Sequence, residues 1–139
     1  MRLLVTALLL FCSPCFAQEN PVGQWKLTEM IYHGERVPPL NPKLNLFLTF
    51  FNNGTDRLFW DRAGESGFCE RFAHYEILNN KLHEIVFSVN PLNSPDCAQD
   101  PDMQVGRETL NVIEINNNEI LLHLQLADEE LIYVFTEVL

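Results

Sequence analysis

The chain has 139 residues and is strongly acidic, with 19 aspartate and glutamate residues against 9 lysine and arginine residues and a formal net charge of −10 at pH 7. Such a charge repels phosphate backbones and anionic lipid surfaces, so nucleic acid and acidic membranes are poor partners. The length suits a single domain, and no apolar run is long enough to predict a membrane span.

Residues 1–17 carry the features of a cleavable signal peptide. A single arginine precedes an apolar run over residues 3–11, which is too short to cross a bilayer. Pro14 then breaks the run, and the small first and third residues of the following Cys-Phe-Ala segment suit a signal peptidase. We therefore expect cleavage before Gln18 and a periplasmic or secreted domain over residues 18–139. Loss of the arginine would bring its formal charge to −11.

The four cysteines divide between these two parts of the chain. Cys12 and Cys15 lie in the signal segment, where either could instead carry the lipid of a lipoprotein. A buried N-terminal strand or helix is a third interpretation of that segment. Cys69 and Cys97 remain in the mature domain. An oxidising compartment favours a disulfide between them, with a reduced pair or half of a zinc site as alternatives.

The mature domain is a series of short β-like runs separated by turns rich in asparagine. Eight strands are predicted, over residues 24–33, 44–52, 55–61, 68–78, 81–90, 107–116, 119–126 and 130–138. Hairpin turns are predicted at Asn53-Gly54, Asn79-Asn80, Asn117-Asn118 and Asp128-Glu129. Residues 34–43 and 91–104 are predicted as irregular loops, the first with room for a helical turn, so the fold should contain little helix.

Pairing across the two-residue turns assigns one apolar inner face. The predicted pairs are Phe72–Phe87, His74–Ile85, Ile115–Ile120, Ile113–Leu122, Leu126–Leu131, Leu124–Tyr133 and Leu122–Phe135. The inner face then comprises Phe72, Ile85, Phe87, Val89, Ile113, Ile115, Leu122, Leu124, Tyr133 and Phe135. The pairs Phe50–Arg57 and Phe47–Trp60 leave the facing of the hairpin over residues 44–61 open.

Eight sequential antiparallel strands with one apolar face must bury that face. An eight-stranded antiparallel up-and-down barrel does so and also removes the exposed edges. We therefore predict an all-β barrel, with a β-sandwich as the alternative. A barrel of this size can be filled by side chains or can hold one small ligand.

The start of the first strand resembles a family signature. Gly23-Gln24-Trp25 is similar to the Gly-x-Trp motif of the lipocalins, whose tryptophan plugs the closed end of an eight-stranded barrel. The plan over residues 22–138, one barrel behind a signal peptide, also looks like that of a bacterial lipocalin-like (calycin-type) protein. The resemblance implies an exported barrel that binds a small apolar or amphipathic ligand in its interior.

A second resemblance is to the META-type domains of bacterial envelope proteins. It rests on the ordered series Trp25-Lys26-Leu27, Phe50, Cys69, Tyr75, Leu82, Cys97, Met103 and Glu108. This resemblance implies an envelope or stress-related module without a known ligand. The alternative function is accordingly a structural or protein-interaction module with a filled core, which acts through the loops over residues 34–43 and 91–104.

Polar side chains on the predicted inner face mark a candidate binding site. An apolar cavity with a few convergent polar groups is the usual anatomy of a small-molecule pocket. Arg107 and Tyr133 would orient the polar head of a fatty-acid-like or aromatic ligand. In the alternative interpretation, Arg107 is solvated at the barrel mouth and neighbouring backbone satisfies Asn111 and Tyr133. The candidate set is Trp25, Phe72, His74, Phe87, Arg107, Asn111, Leu124, Tyr133 and Phe135.

Other chemistries lack a supporting pattern. The four histidines have no metal-ligand spacing, and the aspartates near Cys97 lack the spacing of a calcium-binding loop. Glu70, His74 and Glu76 share one strand face without a recognisable acid–base partner. We therefore expect a monomer without metal, cofactor or enzymatic activity, whose partner is a small hydrophobic ligand.

The signal peptide predicts the mass of the mature protein. When the full chain is expressed in a bacterial host, intact-mass spectrometry of the envelope fraction should find a chain that begins at Gln18. A mass that retains residues 1–17, or a lipid on Cys12 or Cys15, would contradict this assignment.

Overall fold

The computed structural model describes residues 20–139, so the expected signal peptide and its cleavage site lie outside the described residues. The strands are β1 (Gly23–Tyr32), β2 (Glu35–Val37), β3 (Leu44–Phe50), β4 (Thr55–Arg62), β5 (Phe68–Leu78), β6 (Lys81–Val89), β7 (Glu108–Asn116), β8 (Glu119–Leu126) and β9 (Glu129–Glu137). Two short 3-10 helices, Pro95–Gln99 and Pro101–Met103, lie between β6 and β7. Over residues 20–139, no helix is long and apolar enough to cross a membrane.

Eight of these strands close into an antiparallel barrel. Their order around the barrel is β1-β3-β4-β5-β6-β7-β8-β9, and β9 pairs back with β1. The short strand β2 lies outside this ring and pairs with the end of β1. The predicted up-and-down barrel is confirmed, and the sandwich alternative is wrong because each barrel strand has a neighbour on both sides.

The two ends of the barrel differ in their connections. Tight turns over residues 51–54, 79–80 and 117–118 lie at one end, together with the start of β1. Longer connections over residues 63–67 and 90–107 lie at the other end, as does the whole segment between β1 and β3. We call the first the closed end and the second the open end.

Residues with positive φ explain two of the turns. Asn79 and Asn80 have φ of 52° and 56°, as a type I′ turn requires and as asparagine tolerates. His33 and Gly34 also have positive φ, 49° and 79°, and they form the turn from which β2 starts. The segment over residues 34–43 therefore contains a short strand, and the suggested helical turn does not form there.

The closed end and the middle of the barrel are filled by a hydrophobic core. Trp25 is only 3% exposed there, and its indole N–H donates to the Pro21 carbonyl at 2.8 Å. This bond removes the cost of burying an unpaired donor beside a large ring. The buried members of this core are Trp25, Leu27, Leu46, Leu48, Phe50, Leu82, Ile113, Ile120, Leu122 and Phe135.

The hairpin of β5 and β6 turns the opposite face inward from the predicted one. His74 pairs with Ile85 as predicted, but a bulge breaks the predicted Phe72–Phe87 pair and sets Phe72 opposite Ser88. His74 and Phe87 stack on the outer surface with ring centroids 4.4 Å apart, and Phe87 is 44% exposed. The predicted inward positions Phe72, His74, Ile85 and Phe87 therefore lie outside the barrel.

Ala73, Leu82 and Val86 face inward on this hairpin instead, each at most 3% exposed. Both faces of the hairpin carry apolar side chains, so the apolar pattern alone does not choose between them. Closure against β4 and β7 makes the choice, because a strand's whole face goes in or out together.

The last hairpin turns one residue earlier than predicted. Ala127 adopts a left-handed φ of 52°, and the pairs are Leu124–Leu131 and Leu122–Tyr133. These partners lie two residues away from the predicted ones. Because side chains alternate with a period of two, this slip leaves the predicted inner residues of the hairpin inside.

The register of β3 and β4 decides the hairpin whose facing the sequence left open. Leu48 pairs with Leu58, Phe47 with Phe59, and Phe50 with Asp56, so both predicted partners were wrong. The two leucines face the interior, and Phe47 and Phe59 lie outside with ring centroids 6.3 Å apart. The same register turns the Asp56 carboxylate into the barrel.

The connection over residues 90–107, which we call the strap, is fixed to the start of β5. The Asn93 side chain accepts from the Glu70 N–H at 2.8 Å and donates to the Glu70 carbonyl at 3.0 Å. Ser94 approaches Gly67 so closely that a Cβ at that position would lie 2.0 Å from the Ser94 Oγ. A side chain at Gly67 would therefore have to displace the Ser94 hydroxyl, and it would also be strained by the φ of 97° at this position.

A disulfide ties the strap to the barrel. Cys69 and Cys97 are bonded, with their Cα atoms 5.6 Å apart, which confirms the predicted bridge. Both cysteines are buried, and they pack with Met103 against Leu58 and Trp60. The strap thus shares a small hydrophobic core with the open end of the barrel.

The bridge predicts a redox-dependent stability. Replacing both cysteines with serine should lower the free energy of unfolding by about 3 kcal/mol, because the unfolded chain regains the freedom of the closed loop. Denaturant titration with and without dithiothreitol measures this. The reductant should destabilise the wild type by a similar amount and leave the double variant unchanged. A wild type equally stable in both conditions would count against the bridge.

Candidate functional site

The open end of the barrel leads into a cavity of about 420 Å³. This volume lies within the range of about 300–1,000 Å³ that small-molecule sites occupy. The barrel is therefore not filled at this end. The apolar wall consists of Leu44, Leu46, Leu48, Leu58, Trp60, Val86, Leu122, Leu124, Leu126 and Phe135.

Polar groups enter the cavity at two levels. Side chains from the middle of β5, β6 and β7 form the deeper level, which we call the floor: Arg71, Glu84, Thr109 and Asn111. Side chains from the strap and the strand ends form the outer level, which we call the rim: Arg62, Asp100, Asp102, Arg107 and Gln125. The Tyr133 hydroxyl is a further polar group of the wall.

A buried ion cluster builds the floor. Arg71 is 5% exposed and donates through Nη1 to Asp56 Oδ1 and through Nη2 to Glu84 Oε1, the latter at 2.7 Å. The Thr109 hydroxyl lies 3.4 Å from Glu84 Oε2. Strand register brings these side chains together, because Asp56, Arg71 and Glu84 belong to three adjacent strands and all face inward.

One guanidinium cannot neutralise two carboxylates. Burial, together with the charge of Glu84, raises the pKa of Asp56 to about 8 against the opposing effect of Arg71. At neutral pH Asp56 is therefore mostly protonated, and Arg71 and Glu84 form a neutral pair. Burial acts to lower the pKa of Arg71, but the two carboxylates outweigh it, so that pKa is raised and Arg71 stays charged.

The rim carries charges of both signs. Arg107 Nε lies 3.9 Å from Asp102 Oδ1, and Arg62 lies over the Trp60 ring at 4.8 Å. Burial, and then the neighbouring Asp100, raise the pKa of Asp102. Burial and the charges of these two aspartates also raise the pKa of Tyr133, which keeps its hydroxyl protonated and able to donate.

The structure brings together five of the nine residues predicted for the site. Arg107, Asn111, Leu124, Tyr133 and Phe135 all line the cavity. Of the others, Trp25 belongs to the closed-end core, and Phe72, His74 and Phe87 lie outside the barrel. Whether the five bind a ligand stays a prediction.

The ion cluster of the floor was missed by sequence reasoning. A usable signal was present in β6, where Glu84 lies between Leu82 and Val86 on one face of the strand. A carboxylate between two apolar residues on one strand face predicts either that it has a buried partner or that the inner face of the strand has been wrongly assigned. Choosing the other face of the hairpin hid this signal.

The side chains weighed for acid–base chemistry do not meet in the cavity. Glu70 bonds Arg57 and accepts from the Asn90 amide at 2.6 Å, whereas His74 stacks on Phe87 outside. Glu76 is exposed. Over residues 20–139, no group of three or more His, Cys, Asp or Glu side chains could hold a metal ion.

The raised pKa of Asp56 predicts how stability depends on pH. Between about pH 4 and pH 8 the unfolded chain has released the Asp56 proton while the folded chain still holds it. The free energy of unfolding should therefore fall as pH rises, by at most about 1.4 kcal/mol per pH unit. The variant Asp56→Asn cannot titrate and should lack this contribution.

Urea titrations at several values from pH 5 to pH 8 test this expectation. Asp56→Asn should gain stability relative to the wild type as pH rises, whereas Asp128→Asn, a matched change in an exposed turn, should follow the wild type. Parallel curves for all three proteins would show that Asp56 ionises normally.

Two solved structures share this fold. A lipocalin-like protein from Bacteroides uniformis matches over 85% of this chain and 98% of its own, with a TM-score of 0.57 and 15% identity. An uncharacterized protein from Bacteroides eggerthii matches over 86% and 100%, with a TM-score of 0.55 and 16% identity. No protein-family model and no curated protein matches the chain, so the resemblance to META-type domains stays a prediction. What the structural likeness establishes is the fold, a lipocalin-like barrel.

Proposed function

We propose that this protein is an exported binding protein that holds a small apolar or amphipathic molecule inside its barrel. The observation that carries the proposal is the cavity of about 420 Å³ at the open end. Its apolar wall is mostly leucine and aromatic, and polar side chains converge on the same space from neighbouring strands and from the strap, as they do in ligand sites.

The cavity is held in shape before any ligand arrives. The disulfide at Cys97 fixes the strap next to Asp100, whose N–H donates to the Cys97 carbonyl at 3.0 Å. The Asp100 carboxylate in turn accepts from the Asp102 N–H at 2.9 Å. A site built in advance loses less conformational freedom on binding, so more of the contact energy remains as affinity.

Export is part of the proposal and has two supports. The first is the pattern of residues 1–17, which is that of a signal peptide. The second is the buried disulfide between Cys69 and Cys97, because such bonds persist in oxidising compartments. Both favour a periplasmic or secreted location.

Binding without catalysis is the role that the lining supports. Among the described residues, the cavity wall includes no histidine, cysteine or serine. Histidine as a general base and serine or cysteine as a nucleophile are therefore not at hand. Each arginine of the lining lies beside a carboxylate, as Arg71 lies 2.7 Å from Glu84.

A neutral fluorescent dye tests the proposal. N-phenyl-1-naphthylamine should bind with a stoichiometry of about one and a large rise in fluorescence. Leu124→Trp fills the cavity and should weaken the binding at least tenfold, a change of about 1.4 kcal/mol. Leu110→Trp is the matched control, because Leu110 lies outside on β7 and is 61% exposed.

Thermal unfolding of both variants checks that each still folds. Absence of saturable dye binding to the wild type would overturn the proposed function. Equal loss of binding in Leu124→Trp and Leu110→Trp would place the dye elsewhere and would have the same consequence.

A further inference from the structure

We propose that the cavity selects an uncharged amphiphile whose head both donates and accepts hydrogen bonds, such as an alcohol, over the carboxylate of the same chain length. This inference rests on the proposed function and names the class of ligand. It differs from the sequence-based expectation of a fatty-acid-like head oriented by Arg107.

Each arginine facing the cavity already has a carboxylate partner. Arg71 bonds both Asp56 and Glu84. Arg107 lies 3.9 Å from Asp102. Arg62 lies 3.6 Å from Glu65. An incoming carboxylate thus finds no unpaired cation in the described lining. A carboxylate that took the place of Glu84 would leave that buried group unpaired at a cost of several kcal/mol. One that bonded only the Arg71 Nε–H would share a single guanidinium with the Glu84 carboxylate and be repelled by it.

The cavity lining carries equal numbers of cationic and anionic side chains. Three arginines line the cavity against three carboxylates: Arg62, Arg71, Arg107, Glu84, Asp100 and Asp102. Asp56 stands directly behind Arg71 and adds further negative charge when it ionises. The lining is therefore neutral or negative, and an anionic head would lose its hydration without gaining a net attraction.

The floor of the cavity has unused hydrogen-bonding capacity. Arg71 Nε has no hydrogen-bond partner within residues 20–139, and it needs an acceptor. Among the described residues, Glu84 Oε2 has a long contact of 3.4 Å from the Thr109 hydroxyl, and a carboxylate oxygen can accept more than one bond.

A hydroxyl can serve both groups at once. It can donate to Glu84 Oε2 and accept from the Arg71 N–H, and the bond to the carboxylate would be charge-assisted. A carboxylate can accept but not donate, and an alkylammonium can donate but not accept. The apolar tail would extend from the floor along the leucine wall toward the rim.

Displacement of bound N-phenyl-1-naphthylamine at pH 7 tests this selectivity. The competitors are octan-1-ol, octanoate and octylammonium, which share one chain and differ in the head. We expect octan-1-ol to displace the dye at a concentration at least tenfold lower than either ion. Octanoate that matches or exceeds octan-1-ol, while the dye still binds one to one, would overturn the inference and leave the proposed function standing.

Glu84→Gln assigns the selectivity to the floor. The change removes the anionic acceptor and loosens the hold on Arg71, so the preference for octan-1-ol over octanoate should shrink several-fold. Glu76→Gln is the matched control on the outer surface and should keep the wild-type ratio. An unchanged ratio in a folded Glu84→Gln variant would overturn the assignment.

The wild-type comparison needs no variant, so it decides the inference even if Glu84→Gln does not fold. Absence of dye binding to the wild type would overturn the proposed function and this inference together.

Discussion

The interior of this barrel is organised around one buried guanidinium. Arg71 on β5 bonds Asp56 on β4 and Glu84 on β6, and it joins three neighbouring strands through their inward side chains. Removing such charges from water costs several kcal/mol per ion, and a well-packed apolar core is often at least as stable. Stabilisation of the fold therefore does not account well for the ion cluster. The cluster suits a cavity floor, where polar groups must be held in place while the space above them stays open.

The rest of the structure separates a packed end from a hollow end along the barrel axis. At the closed end, Trp25 and its neighbours pack tightly, and the short turns leave little chain to order. At the open end, the strap takes the place of a packed hydrophobic core. The disulfide at Cys97 and the contacts of Met103 hold the strap on the barrel. The rim aspartates sit on this anchored segment. A well-packed half of the barrel can in this way support a half that encloses empty space.

Much of the fold was predictable, but only part of the site was. Arg107, Asn111, Leu124, Tyr133 and Phe135 line the cavity because the hairpin registers keep the predicted faces of β7, β8 and β9 inside. The predicted register of the last hairpin was wrong by two residues, but such a shift leaves every side chain on the same face of the sheet. The β5–β6 hairpin failed because apolar residues occupy both of its faces and a bulge changes its pairing. The charged residues of the floor lie on that hairpin, so the wrong choice of its inner face also left them out of the predicted site.

By itself, the sequence determined the eight barrel strands and most of their turns, the disulfide between Cys69 and Cys97 and the lipocalin-like barrel. These features depend on neighbours along the chain or on a small number of cysteines, and they can be read locally. Only the tertiary structure decided which face of β5 and β6 points inward, that Asp56, Arg71 and Glu84 meet, and that space remains above them. Those outcomes depend on closure of the barrel, where residues far apart in the chain compete for one interior, and no local pattern contains that information.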